Sequence, residues 1–412
     1  MAREMKDSGI EWIGEIPREW EVAQLKRFIN VNNGREIETE VQDTNGAIPV
    51  YGSGGVFKYT NIPLFDGETV MFGRKGTLGK PIYANEKLWT VDTMYFLTFS
   101  DDIFAKFNYY QLVSFDWNPH ITQTALPSVV GSEIVSCHFA FPPFSEQQSI
   151  AVFLDTQCAH IDSVIEKTHT AIEEYKKLKQ FVITQAVTKG IRPNREMKDS
   201  GIEWIGEIPK KWICTIMKRF CRFQTGSTPS TNNPQWFDGN LDWFTPSDFN
   251  EKCFLSNSIR KLSKKAKEDG VATLIEPNTV MIIGIGGTAG KIGFTTSECS
   301  CNQQITAVKP NNELLSKYLM YWMISNTKIL KDTALYTTLP IINNQTIGEF
   351  LLIMPETISE QSEIVAYLDE KTAAIDSLIQ KKEQLITELE AYKKSLIYEY
   401  VTGKKEVPVH AH

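Results

Sequence analysis

Residues 5–17 read MKDSGIEWIGEIP, and residues 197–209 read the same thirteen letters again. The agreement runs on: REWEVAQLKRF ends at Phe28 and KKWICTIMKRF ends at Phe220, both keeping a tryptophan and a closing Lys-Arg-Phe at an offset of 192. A second match pairs GRKGTLGK from Gly73 with GIGGTAGK from Gly284, at an offset of 211. The second copy has therefore gained 19 residues between these two points. A third match aligns SEQQSIAVFLDTQCAHIDSVIEK from Ser145 with SEQSEIVAYLDEKTAAIDSLIQK from Ser359, at an offset of 214. A period near two hundred residues is far longer than the roughly 20–50 of a solenoid unit, so the chain is a tandem duplication of a whole module.

Within each module the pattern changes once. Over residues 20–143 and 212–355, short β-rich runs such as TVMFG, MYFLTF, TVMIIGIG and QITAV are broken by Gly, Pro and Asn, which predicts mixed α/β domains. A stretch almost free of Gly and Pro follows. Ile161, Val164 or Ile165, Ala171 or Ile172, Tyr175, Leu178 and Val182 recur near a 3.5-residue period, as do Ile375, Leu378 or Ile379, Leu385 or Ile386, Leu389, Tyr392 and Leu396. Both are expected to be long helices with an apolar seam. Ser145 and Ser359 are the expected N-caps, each followed by Glu and Gln in the first turn, and Gly190 and Gly403 the expected stops. About 40 residues at ~1.5 Å each make a spacer of roughly 60 Å.

The predicted fold is α+β: two mixed α/β domains separated by two long helices that form an antiparallel coiled coil, with internal pseudo-two-fold symmetry. The alternative is that each helix packs separately on its own domain. The expected division is a first domain over 1–143, a helix over 144–192, a second domain over 193–356, a second helix over 357–404, and a tail over 405–412.

Composition sets the class. At 412 residues, 42% hydrophobic and 23% charged, the chain has ordinary globular content and room for two or more domains. The start is charged and lacks an apolar core, and no run of about eighteen apolar residues follows, so a soluble, cytoplasmic protein without a membrane partner is expected. Cys137, Cys158, Cys214, Cys221, Cys253, Cys299 and Cys301 contain no CxxC pair and read as reduced thiols. The net charge of -7 excludes a chain coated in positive potential, but leaves room for local charge in a groove.

Motifs for catalysis do not assemble. GGTAGK departs from a phosphate loop at Ile285 and Ile292, and the first copy has Arg74 and Pro81 there. FPPF at 141–144 lacks the leading Asp or Asn of an amino-methyltransferase loop and reads as a proline break before the helix. The six histidines show no metal spacing, and His410 and His412 fall in the expected tail. No catalytic residues and no metal site are predicted.

A binding reading does better. The repeated Gly-Thr-x-Gly-Lys follows a β run and offers backbone N–H, hydroxyl and cation to a phosphate, or else is a tight turn with solvated lysines. Its candidates are Arg74, Lys75, Thr77 and Lys80 in the first copy and Thr288 and Lys291 in the second. Ahead of it, YGSGGVFKYTN interleaves Tyr51, Ser53, Lys58, Tyr59 and Asn61 around glycines. The second copy instead has TGSTPSTNNPQWFDG, with Thr228 and Ser230, then a basic run carrying Arg260, Lys261, Lys264, Lys265 and Lys267. That run is either a solvated helical face or a phosphate-tracking one. The framing segments match while the loops between them diverge, so two such domains would read two different things.

SGIEWIGEIPxxW ahead of a variable domain, Gly-Thr-x-Gly-Lys within it and SEQ…LD…IDS.I.K opening a long helix, all twice, resemble the specificity subunit of type I restriction-modification enzymes over essentially the whole chain. The resemblance implies two target-recognition domains, each gripping one half of a bipartite double-stranded DNA site, with helices acting as a ruler. It implies methyltransferase subunits using S-adenosylmethionine and restriction subunits using ATP and Mg²⁺, with no catalysis and no cofactor in the specificity subunit itself. Phe153, Leu154, Ile161, Ile165, Tyr367, Leu368, Ile375 and Ile379 are the candidate docking residues for methyltransferase helices. Exposed apolar docking faces are expected to favour self-association when partners are absent. Competing readings are a nuclease or methyltransferase with an unrecognised site, and a scaffold joining two protein-binding domains.

Overall fold

Each copy of the repeated segment folds into a small antiparallel hairpin, Met5–Asp7 on Glu15–Pro17 and Met197–Asp199 on Glu207–Pro209, in the same register. In this computed structural model, residues 3–37, 39–41, 47–249, 253–333, 335–336 and 340–408 are described. His410 and His412, placed in the tail by the sequence, lie outside them. The chain divides into two compact units: residues 1–170 with 382–412, and residues 171–381. Each long helix, Phe144–Lys189 and Ile358–Val401, contributes to both.

In the first unit the strand Glu21–Gln24 pairs with His138–Phe141, tying the start of the domain to its end. Between them lies a six-stranded sheet in the order Ile29–Asn33, Met94–Phe99, Phe65–Gly73, Ile82–Thr90, Ile48–Gly52, Gly55–Thr60. The strand Phe65–Gly73 ends in a fully buried run from Thr69, as a central strand must. The second unit repeats the tie, Ile213–Ile216 on Leu351–Met354. It holds a five-stranded sheet whose centre is Thr279–Ile283, and a separate three-stranded sheet around Phe237–Phe244.

The helices pack antiparallel in each unit. In the first, the ring of Phe153 meets that of Tyr400 at 4.6 Å, and Lys393 reaches Asp162 at 2.6 Å, so one helix ascends as the other descends. In the second, Lys179 reaches Asp376 at 2.7 Å, and Ile183, Ala186 and Val187 share a core with Ile364, Val365 and Leu368. The two ion pairs are repeat-related, each lysine and each aspartate 214 residues from its counterpart. Because both helices enter both units, the alternative of each helix on its own domain fails. These pairs are partly exposed, so each contributes about 0.2–1 kcal/mol. Reversing Lys179→Asp alone is expected to destabilise by about that amount, with recovery in the double variant Lys179→Asp, Asp376→Lys, as urea unfolding would register.

The Ser-Glu-Gln motif does something other than cap. The helices begin at Phe144 and Ile358, so Ser145 and Ser359 lie inside the first turn, and in the second copy Thr357 is the cap, its hydroxyl accepting from the Glu360 amide. In the second copy a threonine two positions ahead of the serine is also a capping type, and the break at Pro355 places it first. The glutamate and glutamine instead fasten the helix to its domain. Glu146 accepts from the Trp20 indole and pairs with Arg3 at 2.6 Å, and Glu360 accepts from Trp212 while pairing with Arg195. Gln147 and Gln361, both buried, accept from the Phe104 and Leu315 amides at 2.8 Å and donate to the Pro142 and Pro355 carbonyls.

The helix ends follow one plan with two letters exchanged. Lys189-Gly190 in the first copy stands where Gly403-Lys404 stands in the second. Both glycines are left-handed, with φ of 76° and 71°, and a Cβ on Gly403 would sit 2.3 Å from the Pro17 ring. Despite the exchange, Lys189 donates to the Glu207 carbonyl and Lys404 to the equivalent Glu15 carbonyl.

Ile16 and Ile208, at matched positions of the repeated segment, are fully buried, but the tryptophans differ. Trp12 packs edge-on against Phe115 and Phe139, whereas Trp204 is 48% exposed. After the shared helix, Ala105–Ser114 or Ser316–Ser325, the first copy places Phe115 and the second Asn326, which leaves Trp204 without its aromatic neighbour.

Candidate nucleic-acid interface

In the first unit the turn after Phe65–Gly73 carries Arg74, Lys75 and Lys80, all exposed and without an ion pair or side-chain hydrogen bond among the described residues. The turn of the edge hairpin folds against it: the Ser53 hydroxyl accepts from the Thr77 amide at 3.1 Å. A segment the sequence reading passed over joins them. Val129 donates to the Arg74 carbonyl, Lys75 bridges to Ser128, and Leu126 stands 60% exposed between Thr124 and Ser128. Its sequence, ITQTALPS, carries no charge and no periodicity, so nothing marked it.

The remaining first-copy candidates are engaged inside the domain. Lys58 pairs with Glu40 at 2.7 Å, Asn61 accepts from Thr39, and the Tyr51 hydroxyl donates to Glu86 at 2.6 Å. Burial and that carboxylate push the Tyr51 phenol far above its ordinary range. Tyr59 is half-buried.

The second unit treats the same motif differently. Lys291, the counterpart of Lys80, turns inward and donates to the Phe249 carbonyl at 2.6 Å, while Thr288 stays exposed. What the two loops share is the packing of the later glycine: Gly79 lies on the Trp117 ring, and Gly290 on Lys331 and Ile342. Thr228 donates to Gln303, and Ser230 accepts from the Asn232 amide.

The basic run is largely neutralised. Lys261 pairs with Asp242 at 3.0 Å, Lys264 with Glu268 at 3.3 Å and Lys267 with Glu298, and Lys265 donates to the Gln235 side chain at 2.6 Å. Burial pushes the Asp242 carboxyl up, but bonds from Ser258 and Lys261 outweigh it and hold the group below its usual range. Among the described residues Arg260 alone in the run has no such partner; its guanidinium lies over the rings of Phe237 and Trp243, 4.9 and 5.1 Å from their centroids.

On the helices, Leu154, Ile161, Leu368 and Ile375 are buried within their units, and Phe153, Ile165, Tyr367 and Ile379 are half-buried. The large apolar side chains that the helices expose among the described residues are Phe144 and Ile358 at their starts and Val152, Leu178, Phe181, Leu378 and Tyr392 along them. Leu178 and Tyr392 are repeat-related, 214 residues apart.

All seven cysteines are free. Burial pushes the thiols of Cys221, Cys253 and Cys299 up to about 12, and that of Cys301 further, so these stay protonated near neutral pH. Cys214 departs from the buried pattern and is exposed.

Residues 17–174 and 209–388 match the family model described as the type I restriction modification DNA specificity domain. The type I restriction enzyme EcoDI specificity subunit of Escherichia coli is 21% identical over 95% of this chain and 90% of its own length. The EcoBI specificity subunit of the same organism is 20% identical over 98% and 90%. The MjaIX specificity subunit of Methanocaldococcus jannaschii is 27% identical over 44% of this chain, which covers 41% of that subunit's length. Among solved structures, a chain from work on complex assembly and conformational transition of the type I R-M system aligns with a TM-score of 0.71 at 13% identity, over 95% of this chain and 99% of its own. The HsdS subunit from Thermoanaerobacter tengcongensis aligns with a TM-score of 0.51 at 14% identity, over 95% and 98%.

Proposed function

This chain belongs to the type I restriction-modification DNA specificity family, and on that premise we propose that its two recognition domains each read one half of an asymmetric, bipartite DNA site while the long helices set the spacer between the halves. One observation carries this reading: matched contacts at the helix starts frame two unlike cationic surfaces. The tryptophan–glutamate–arginine clusters recur in both units, whereas the first unit presents Arg74, Lys75 and Lys80 and the second presents Arg260 among neutralised lysines. Phosphate contacts position such a protein and base contacts give it sequence preference.

Proteins of this family are generally DNA-recognition subunits without catalysis of their own. The proposed partners are methyltransferase subunits that bind S-adenosylmethionine and restriction subunits that use ATP and Mg²⁺, acting on cytoplasmic DNA. None of these cofactors is assigned to this chain. Among the described residues no helix is long and apolar enough to cross a membrane. The methyltransferase subunits would dock on the exposed helix positions Val152 and Tyr392 in the first unit and Leu178, Phe181 and Leu378 in the second, with Phe153, Ile165, Tyr367 and Ile379 at the margins.

Exchanging residues 20–143 for those of another family member is expected to change one half of the methylated motif and leave the other half and the spacing as they were. Sequencing of methylated DNA from cells expressing the exchanged chain with methyltransferase subunits reads both halves at once. A change in both halves would refute the modular reading.

A further inference from the structure

We propose that a groove in the second unit, flanked by Arg260 and Asp238, reads a G·C base pair, Arg260 donating to guanine O6 and N7 and Asp238 accepting from the cytosine amino group. The inference rests on the DNA-recognition reading above and assigns one of its base contacts. The groove encloses about 460 Å³ and is bordered by Thr231, Phe237, Asp238, Ile259 and Arg260.

Two charged side chains there make no ion pair or hydrogen bond among the described residues. The lysines that follow Arg260 are each engaged, as described, but its guanidinium makes no ion pair or hydrogen bond among the described residues. The rings of Phe237 and Trp243 restrict it instead, which fixes the plane of the fork without using its donors. Asp238 is likewise exposed and unpaired among the described residues, and the two groups do not pair with each other.

The backbone puts Asp238 where it is. The strand Phe237–Phe244 pairs with Lys261–Leu262, but both Phe237 and Leu241 face Leu262, so the residues between them bulge out of the ladder. A bulge re-aims side chains, and Asp238 takes a left-handed φ of 57°, a conformation tolerated by Asp and Asn better than by most residues. Gly239 closes the bulge against the strand Lys261–Leu262 that follows Arg260: a Cβ there would lie 2.3 Å from the Ser263 Cα.

The carboxylate decides between the two targets open to a guanidinium. A phosphate seated on Arg260 would meet Asp238 in the same groove and be repelled. A G·C pair presents acceptors on guanine and a donor on cytosine along one major-groove edge, which matches a fork of donors beside an acceptor.

The test uses the chain assembled with its methyltransferase subunits, with methylated positions sequenced for wild type, Arg260→Lys, Arg260→Ala and Asp238→Asn. Arg260→Lys keeps the charge and loses the fork; Asp238→Asn is isosteric, exposed and compatible with the backbone angle. Discrimination at one G·C position of the second domain's half-site is expected to fall about 5- to 150-fold in the Arg260 variants, the range for losing one bidentate base contact, and less in Asp238→Asn, whose amide oxygen still accepts but carries no charge. An unchanged motif with uniformly slower methylation would make Arg260 a phosphate contact and overturn the proposal. So would relaxation at an A·T pair or in the first half-site. Failure of the wild-type complex to methylate any bipartite site would overturn the functional reading itself, a result distinct from an unchanged motif in the variants.

Discussion

Replacing Trp212 by alanine is expected to lower the unfolding free energy of the second unit by about 3–5 kcal/mol, the range for removing a large buried aromatic. Trp212 is 1% exposed and sits where the repeated frame, the end of one long helix and the start of the other converge. Its loss leaves a cavity and removes a donor from Glu360. Burial pushes that carboxyl up, and the bonds from Arg195 and Trp212 pull it below its ordinary range. A depressed carboxylate contributes stability that is present above its unfolded pKa and lost as pH falls through its folded one. The variant should therefore also lose part of the pH dependence of stability on the acid side. Urea unfolding at pH 7 and at acid pH measures both effects. The contrast is Trp204→Ala, 48% exposed, expected to stay within about 0.5 kcal/mol of wild type. Equal losses for the two would show that burial at Trp212 is not what holds frame to helix.

Neutralising Arg74, Lys75 and Lys80 together is expected to weaken DNA binding by the assembled methyltransferase complex about 10²-fold at ~0.15 M salt. Each phosphate contact contributes about 0.9 to the slope of log affinity against log salt, so three removed contacts lower the slope by about 2.7. Extrapolated to molar salt, where the counterion term vanishes, wild type and variant should converge. These three cations are the ones to remove because nothing among the described residues neutralises them. The matched change in the second unit, Lys261, Lys264 and Lys267 to alanine, should cost much less, since those lysines already hold carboxylates. Equal salt slopes for the first-unit variant and wild type would place the DNA elsewhere on that domain.

The duplication, the helices and their antiparallel pairing were legible because each rests on spacing, and spacing survives in sequence. The repeated Lys and Asp at offset 214 even carried the cross-helix ion pairs, once antiparallel register was assumed. The expected caps Ser145 and Ser359 fall two residues late, in the second copy because Thr357 and Ser359 are both capping types. Site residues were less legible for a definite reason. Whether a lysine is free depends on acids brought to it by folding: Lys267 meets Glu298 and Lys261 meets Asp242, neither of which sits at helical spacing in the sequence. The charge run looked like one feature, and folding reduced it to Arg260. Ser-Glu-Gln was read as a cap, although its glutamate and glutamine act on Trp20, Trp212, Phe104 and Leu315, contacts no local pattern reveals.

The division of the chain into units has a consequence for its synthesis. The second unit, residues 171–381, is contiguous and can close as soon as it leaves the ribosome, but the first needs residues from 382 onward. Until Leu396, Ile397 and Tyr400 arrive, the core that Ile150, Leu154 and Ile161 share with Ile16, Trp20 and Tyr110 lacks the part supplied by the second helix. At about 5–20 residues per second that wait lasts on the order of ten to fifty seconds. The domain made first is thus the one completed last, and the seam of its nascent helix waits for the second helix meanwhile.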